Sequence, residues 1–263
     1  MNSIKFALLN IKKNFKNAKE LKSAFIMSVI GMCINNSAFI VLWYNFGAIM
    51  GSLNGWNPID VFGLYAISTG SYGIVNAFFR GVINIPTYIA TGNLDKYLNT
   101  PKNTLIKIVT SDIETSALGD LTFGIICFFI YVITKQLSFI QILVLLLMLI
   151  IATIVYFSFS LICMSISFYL MDGENISTSL YQSFLTVSLY HGGAFTGLLK
   201  VIFMFVVPAL LIGAIPVEIV NNVSILNVFG ITLLSFVWLI LAIKFFYFSL
   251  KKYESNNFFG FGN

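Results

Sequence analysis

Three acidic residues, Asp112, Glu114 and Asp120, lie close together in the sequence and are its best candidates for acid-base chemistry. A carboxylate that acts in catalysis needs a partner such as a histidine or a bound metal ion. The chain has a single histidine, His191, so histidine-based triads and multi-histidine metal sites have little to draw on. Because the cluster lacks a histidine or metal partner, a membrane enzyme that acts on lipid is disfavoured. We predict no catalytic residue and no metal site.

The segment Gly192–Leu198, with the sequence GGAFTGL, is the nearest approach to a phosphate-binding loop. Its glycines have the right interval, but Leu198 stands where the phosphate-binding lysine is required. The three cysteines, Cys33, Cys127 and Cys163, lie in apolar runs and lack metal-ligand spacing. We therefore predict no cofactor and no machinery for nucleotide hydrolysis. If the protein moves a substrate at the expense of ATP, another chain must hydrolyse that ATP.

The composition is that of an integral membrane protein. Of the 263 residues, 58% are hydrophobic and only 10% are charged, and the mean hydropathy is +0.91. Soluble domains carry about 25% charged residues. The elements that must position the polar side chains are therefore helices in a bilayer.

Apolar runs long enough to cross a bilayer recur along the chain, and they predict an all-α polytopic membrane protein with six transmembrane helices. Five spans follow from hydropathy. They cover residues 24–50, 60–80, 113–134, 139–170 and 225–248. The loop at 52–60 contains no lysine or arginine and carries Trp56, which fits an interfacial anchor, so we expect it to face outward.

The position of the fifth span is open between two segments. Residues 198–220 are strongly apolar but are broken by Pro208, Gly213 and Pro216, whereas residues 175–194 are moderately polar. On hydropathy alone the first segment crosses the membrane. In the alternative, 175–194 cross within a protein-lined interior and 198–220 form short re-entrant half-helices on the outer side.

Residues 1–22 predict an amphipathic interfacial helix. Ile4, Leu8 and Ile11 begin an apolar series with a spacing of three or four residues, and lysines take most of the remaining faces. Such a helix lies on an anionic cytoplasmic leaflet, which makes membrane lipid a partner.

The distribution of the fifteen lysine and arginine residues predicts the orientation. Fourteen lie on one side if 198–220 is the fifth span, and thirteen do if 175–194 is. Both arrangements satisfy the positive-inside rule, so we expect a multi-pass protein with both termini in the cytoplasm. In a membrane protein the distribution of the +5 net charge between loops matters more than its sum, and no nucleic-acid partner is implied.

Polar side chains at membrane depth are candidates for a translocation path. An unpaired amide or carboxylate is costly there, so these side chains should face protein or water. Asn35, Asn36 and Asp120 could instead bond neighbouring helices. The candidates are Asn35, Asn36, Asp120, Thr178 and Gln182.

Residues 91–107 form a polar, proline-punctuated segment between apolar runs, and they predict a short amphipathic helix on the cytoplasmic side. Gly92 can end a helix, Leu94 and Leu98 fall four residues apart on one face, and Pro101 ends the short helix. It could pack on a soluble partner or against the membrane. The residues singled out are Gly92, Leu94, Asp95, Lys96, Leu98, Pro101 and Lys102.

Several of these residues carry a resemblance to a known family. Gly55 and Trp56 precede the second span, and the loop places Gly, Leu, Asp, Leu and Pro at Gly92, Leu94, Asp95, Leu98 and Pro101. Further along are Ser167 and Phe168, and two prolines eight residues apart, Pro208 and Pro216. In these features the chain resembles the ABC-2 family transporter proteins, which are membrane permeases of ATP-binding-cassette transporters. The likeness covers nearly the whole chain.

The resemblance implies a six-span half-transporter with an interfacial helix at 1–22 and re-entrant outer helices at 198–220, which favours 175–194 as the fifth span. It also implies that 91–107 hold a coupling helix, with Leu94 and Leu98 entering a groove of a separate ATPase. Asp95 and Lys96 would form its polar rim, with Lys102 beside them.

As a function, the resemblance implies the permease subunit of a bacterial ABC transporter in the cell membrane, working in export. Its partners would be ATP-binding-cassette ATPase subunits and a second permease, identical or related. The alternative is a membrane assembly or immunity protein without transport activity, in which the loop merely packs.

Overall fold

The computed structural model describes residues 3–20, 22–50, 55–99 and 101–254, and these residues contain helices and no strand. The α-helices are α1 (Ser3–Glu20), α2 (Lys22–Met50), α3 (Asp60–Phe78), α4 (Ile85–Ala90), α5 (Asp95–Leu98), α6 (Thr104–Val109), α7 (Ala117–Lys135), α8 (Phe139–Ser165), α9 (Gly173–Ser188), α10 (Gly197–Phe205), α11 (Ala214–Asn221) and α12 (Ile225–Leu250). Part of the predicted outward loop, residues 52–54, lies outside the described residues.

Helix α3 lies at the centre of the bundle, where it packs along α7 and α8 with most of its side chains buried. A Cβ atom added at Gly73 would lie 2.6 Å from Cγ of Leu121, and one added at Gly124 would lie 3.0 Å from the amide nitrogen of Gly70. Glycine at these positions therefore allows the backbones of α3 and α7 to approach closely, as small residues do between membrane helices.

Four helical stretches among the described residues are long and apolar enough to cross a bilayer. They are Ile26–Asn45, Ala117–Lys135, Phe139–Tyr169 and Ile225–Leu250. The prediction of an all-α, multi-pass membrane protein is thus confirmed. Helices α3 and α9 are more polar and lie beside these four, and their crossing of the membrane belongs to the proposal below.

The third predicted span differs from the helix at its start, since α7 begins at Ala117 rather than at residue 113. The preceding residues form a turn against the end of α3. The amide of Glu114 donates to the carbonyl of Asn76 at 3.0 Å, and Asn84 donates to the Asp112 carboxylate at 2.8 Å. These bonds hold residues 112–114 against the end of α3 and the start of the loop that follows it.

Residues 198–220 contain no uninterrupted spanning helix. Helix α10 ends at Phe205, a 3-10 turn covers Pro208–Leu211, and α11 is a separate short helix. Proline lacks a backbone N–H and its ring clashes with a preceding carbonyl, so the break at Pro208 follows from the sequence. The two short helices pack with the 3-10 turn, and α11 also contacts α3 and α8.

Candidate functional site

The loop between α3 and α7 is a compact unit built from α4, α5 and α6. Gly92, with a φ of +67°, ends α4 in the left-handed conformation that glycine adopts without strain. The amide of Leu94 then donates to the carbonyl of Tyr88 at 3.0 Å, which turns the chain back on α4. Asn103 caps α6 by accepting from the amide of Ile106 at 3.1 Å. The predicted glycine helix end and the short helix at 95–98 are therefore present.

The two leucines of this loop do not share an exposed face, which corrects the expectation that both enter a partner's groove. Leu94 is 0% exposed and belongs to the core of the chain, whereas Leu98 is 36% exposed. Leu94 is the N-cap residue of α5, and its side chain packs into the core of the chain. Leu98 remains on the surface together with Lys96, Asn99 and Pro101.

The loop is tied internally by Lys107, whose ammonium donates to the carbonyl of Tyr97 at the end of α5. A cation at this end favours the helix dipole. Burial lowers the pKa of Lys107, and the charge of Lys102 acts in the same direction. The ring centroids of Tyr88 and Tyr97 lie 5.3 Å apart, and the Tyr88 hydroxyl lies 2.8 Å from Oγ of Ser111. Helix α5 therefore rests on a base formed by α4 and α6, to which these contacts join it.

Two distant segments hold the sides of the loop. From α1, Asn10 and Asn14 donate to the hydroxyl and carbonyl of Thr110 at 3.5 and 3.4 Å. The Lys102 ammonium lies 4.0 Å from the ring centroid of Phe6, so Lys102 is engaged within the chain. After α12, burial together with the neighbouring Asp95 carboxylate raises the pKa of Tyr253 to about 12. Asp95 therefore lies beside the segment that follows α12.

The amphipathic helix predicted at 1–22 is observed as α1, and its described side chains divide into two faces. Phe6, Asn10 and Asn14 face α6 and its surroundings, whereas Leu8 is exposed together with Lys12. The side chain of Ile4, which began the predicted apolar series, lies outside those described. An exposed leucine beside exposed lysines suits a helix at a lipid surface.

Asn36 of α2 donates to the carboxylate of Asp120, in the first turn of α7, at 2.6 Å, and both side chains are buried. Asp120 Oδ2 has no hydrogen-bond partner among the described residues. Asn36 and Asp120 border a cavity of about 140 Å³, which is also lined by Asn35, Ser68, Thr69, Tyr72 and Ser188. Three of the five predicted path residues, Asn35, Asn36 and Asp120, are therefore brought together.

The other two path candidates, Thr178 and Gln182, lie apart from this cavity on an exposed face of α9. Thr178 donates to the carbonyl of Glu174 at 2.7 Å, which is a bond within its own helix. The exposed polar residues of α9 follow a helical spacing: Asn175, Thr178, Ser179, Gln182, Ser183 and Thr186.

A polar chain below the cavity was not predicted. Asn76 of α3 donates to the Tyr156 hydroxyl at 3.3 Å, and that hydroxyl also bonds the Tyr181 hydroxyl. On the other side, Arg80 donates to Asn76 at 2.8 Å and pairs with Glu114 at 3.0 Å. The one sequence signal was the spacing of Asn76 and Arg80, four residues apart on one helix face. Their partners come from the turn before α7, from α8 and from α9, far away in sequence.

The other end of α3 carries a second unpredicted cluster around buried Asp60. Its carboxylate accepts from Lys135 at 2.7 Å, from Asn221 at 3.0 Å and from the backbone amide of Asn57 at 2.8 Å, and the Tyr131 hydroxyl lies 3.2 Å away. Helices α3, α7 and α11 are thereby joined. Among the described residues, no three His, Cys, Asp or Glu side chains come together as metal ligands.

These features define a class: a multi-pass membrane protein with buried polar contacts between its helices and a structured loop outside the apolar bundle. The chain belongs to the ABC-2 family transporter proteins, since the sequence model of that family matches residues 30–257. The resemblance drawn from the sequence is therefore confirmed, and the family is one of transport permeases. Neither the curated proteins nor the solved structures gave a match.

Proposed function

We propose that this chain is the membrane-spanning permease subunit of an ABC exporter in a bacterial cell membrane. It works with separate ATP-binding subunits and pairs with a second permease, identical or related. The observation that carries the proposal is the loop of α4, α5 and α6, which presents Leu98 on a base held by two other parts of the chain, α1 and the segment after α12. An ordinary connecting loop needs no such base.

The proposed topology has six spans with both termini in the cytoplasm. Helix α3 has 19 residues and so a length of about 28 Å, which suits a crossing even though its side chains are more polar than those of α8 or α12. Helix α9 is the fifth span, and α10 and α11 lie at the outer surface. Burial of the polar side chains of α3 between α7 and α8 supports this arrangement.

In the proposed coupling step, an ATPase subunit contacts Leu98, Lys96 and Pro101, while Gly92, Leu94, Asp95 and Lys102 hold the loop in shape. The loop leads directly from α3 into α7, and the same two helices form walls of the Asp120 cavity. A displacement of α5 would thus be passed to both helices. This is how closure of an ATPase dimer would change access to the cavity.

The proposed path combines the cavity of Asn35, Asn36 and Asp120 with the polar face of α9. Polar side chains that face lipid are costly, so Thr178 and Gln182 need protein or water opposite them. A second permease facing α9 would supply both, because the two polar faces would line one route between the subunits. The pairing also explains why these two residues lie outside the cavity of a single chain.

The test is co-purification of the permease with an ATPase encoded beside it. Leu98→Asp should abolish co-purification while the protein still inserts and remains stable, because the side chain is on the surface. Leu170→Asp is the matched control, since Leu170 is 38% exposed and lies on the same proposed side of the membrane. Unchanged co-purification of Leu98→Asp would favour the assembly or immunity function without transport.

A further inference from the structure

A groove of about 750 Å³ lies between α10, α11 and the first half of α12. Its long wall runs from Leu226 to Val237 on α12 and includes Leu233 and Leu234. Twelve helical residues span about 18 Å, close to the half-thickness of about 15 Å that one leaflet contributes to a bilayer core. The groove therefore has the length of a lipid chain in one leaflet.

Gly230 keeps the middle of this groove open. It lies on the groove wall, and a Cβ atom added there would meet no atom within 4 Å. No close contact between helices explains a glycine at this position, in contrast to Gly73 and Gly124 in the centre of the bundle. The absence of a side chain here leaves space on the surface that faces the groove.

Two charged side chains line the groove opposite α12, Lys200 from α10 and Glu218 from α11. The Lys200 ammonium lies 2.9 Å from both carboxylate oxygens of Glu218, and the Trp56 indole donates to the same carboxylate at 3.4 Å. The two charged side chains are 37% and 34% exposed, so each can meet an outside group. Asn222 and Asn227 add polar groups beside the groove. One site thus offers a long apolar wall and a neighbouring pair of opposite charges.

We propose that this groove binds a zwitterionic aminophospholipid, with one acyl chain along α12 from Leu226 to Val237. The lipid phosphate accepts from Lys200, and its ammonium group is held by Glu218. An apolar groove with a cation and an anion in the wall opposite α12 complements such a lipid in shape and in charge. The proposed topology places this groove in the outer leaflet, and that placement rests on the proposed function. The groove itself does not depend on coupling to an ATPase.

The experiment uses the full-length permease in nanodiscs, without any ATPase, so that its result is independent of the coupling proposal. A phosphatidylethanolamine probe with a diazirine on its acyl chain is activated by light, and mass spectrometry locates the labelled peptides. We expect labelling of 197–237, reduced about tenfold by Gly230→Trp, because the indole fills the groove. Gly31→Trp on α2 is the control, since Gly31 also has no atom within 4 Å of an added Cβ. It should leave the labelling unchanged.

The headgroup is tested by competition. Unlabelled phosphatidylethanolamine should displace the probe better than phosphatidylglycerol does, and Glu218→Gln should remove this preference. Inorganic phosphate should not displace the probe. Displacement by inorganic phosphate, or equal labelling of Gly230→Trp and wild type, would overturn the proposal. Disulfide-linked dimers formed through a cysteine at Leu233 would do so as well, because a second copy would then cover the groove.

Discussion

The Lys135 ammonium lies 2.7 Å from the buried carboxylate of Asp60, joining the carboxyl end of α7 to the amino end of α3. The same carboxylate accepts from Asn221 of α11. A buried charge that loses its partner is costly, so this contact holds the proposed outer end of the bundle together.

Lys135→Met should therefore lower the free energy of unfolding by about 2 kcal/mol, since it leaves the Asp60 charge without its cation. Thermal denaturation of the purified protein in detergent measures this effect. The double variant Asp60→Asn/Lys135→Met should recover part of the loss, because both charges are then absent. Strictly additive effects of the two substitutions would show that the residues do not interact.

The Asp120 cavity should be open to water-borne reagents. In a cysteine-free background, we expect Asn35→Cys to react with a charged methanethiosulfonate and the rate to change when a coupled ATPase binds nucleotide. Ile133→Cys on α7 is the control, because that side chain is 73% exposed on an apolar helix and should face lipid. Equal reactivity at the two positions would contradict a water-accessible path at Asn35.

The left-handed backbone conformation at Gly92 should be needed for coupling. A larger side chain at this position would meet no steric clash. A Cβ atom at Gly92 meets nothing within 4 Å, so a substitution acts through the backbone alone. Gly92→Val should cost about 1–2 kcal/mol and reduce co-purification with the ATPase, whereas Gly92→Asn should retain most of it because asparagine tolerates positive φ. If valine and asparagine behave alike, the turn is not needed for coupling.

The polar face of α9 should meet a second permease. Gln182→Cys in a cysteine-free background should form an oxidant-dependent disulfide across two copies, or with a co-expressed related permease that carries a matching cysteine. Phe229→Cys on α12 is the control, since its side chain is 65% exposed but lies on an apolar surface. Cross-linking at position 229 and not at 182 would place the pairing surface elsewhere.

Hydropathy and charge were enough to predict an all-α membrane protein, because a bilayer requires long apolar helices and biases the positions of lysine and arginine. Pro208 and Pro216 pointed to a broken segment, but the residues alone left its alternative open. Four-residue spacing did not reveal that Leu94 is buried, because it predicts which side chains share a helix face and not which of them other elements cover.

The sequence singled out Asn36 and Asp120 separately, yet it could not pair them across 84 positions. The Asp60 cluster was missed for the same reason, since Lys135 and Asn221 come from other helices. Contacts between distant helices depend on how the bundle packs, and no local pattern in one sequence reports that packing.

The central claim, that the loop of α4, α5 and α6 meets an ATPase in the cytoplasm, is tested most directly by labelling a cysteine at Asn99 in a cysteine-free background. Asn99 is exposed beside Leu98. A membrane-impermeant maleimide should label it in inside-out vesicles, with the ATPase protecting it, and should leave it unlabelled in intact cells. Labelling from outside intact cells would contradict the account.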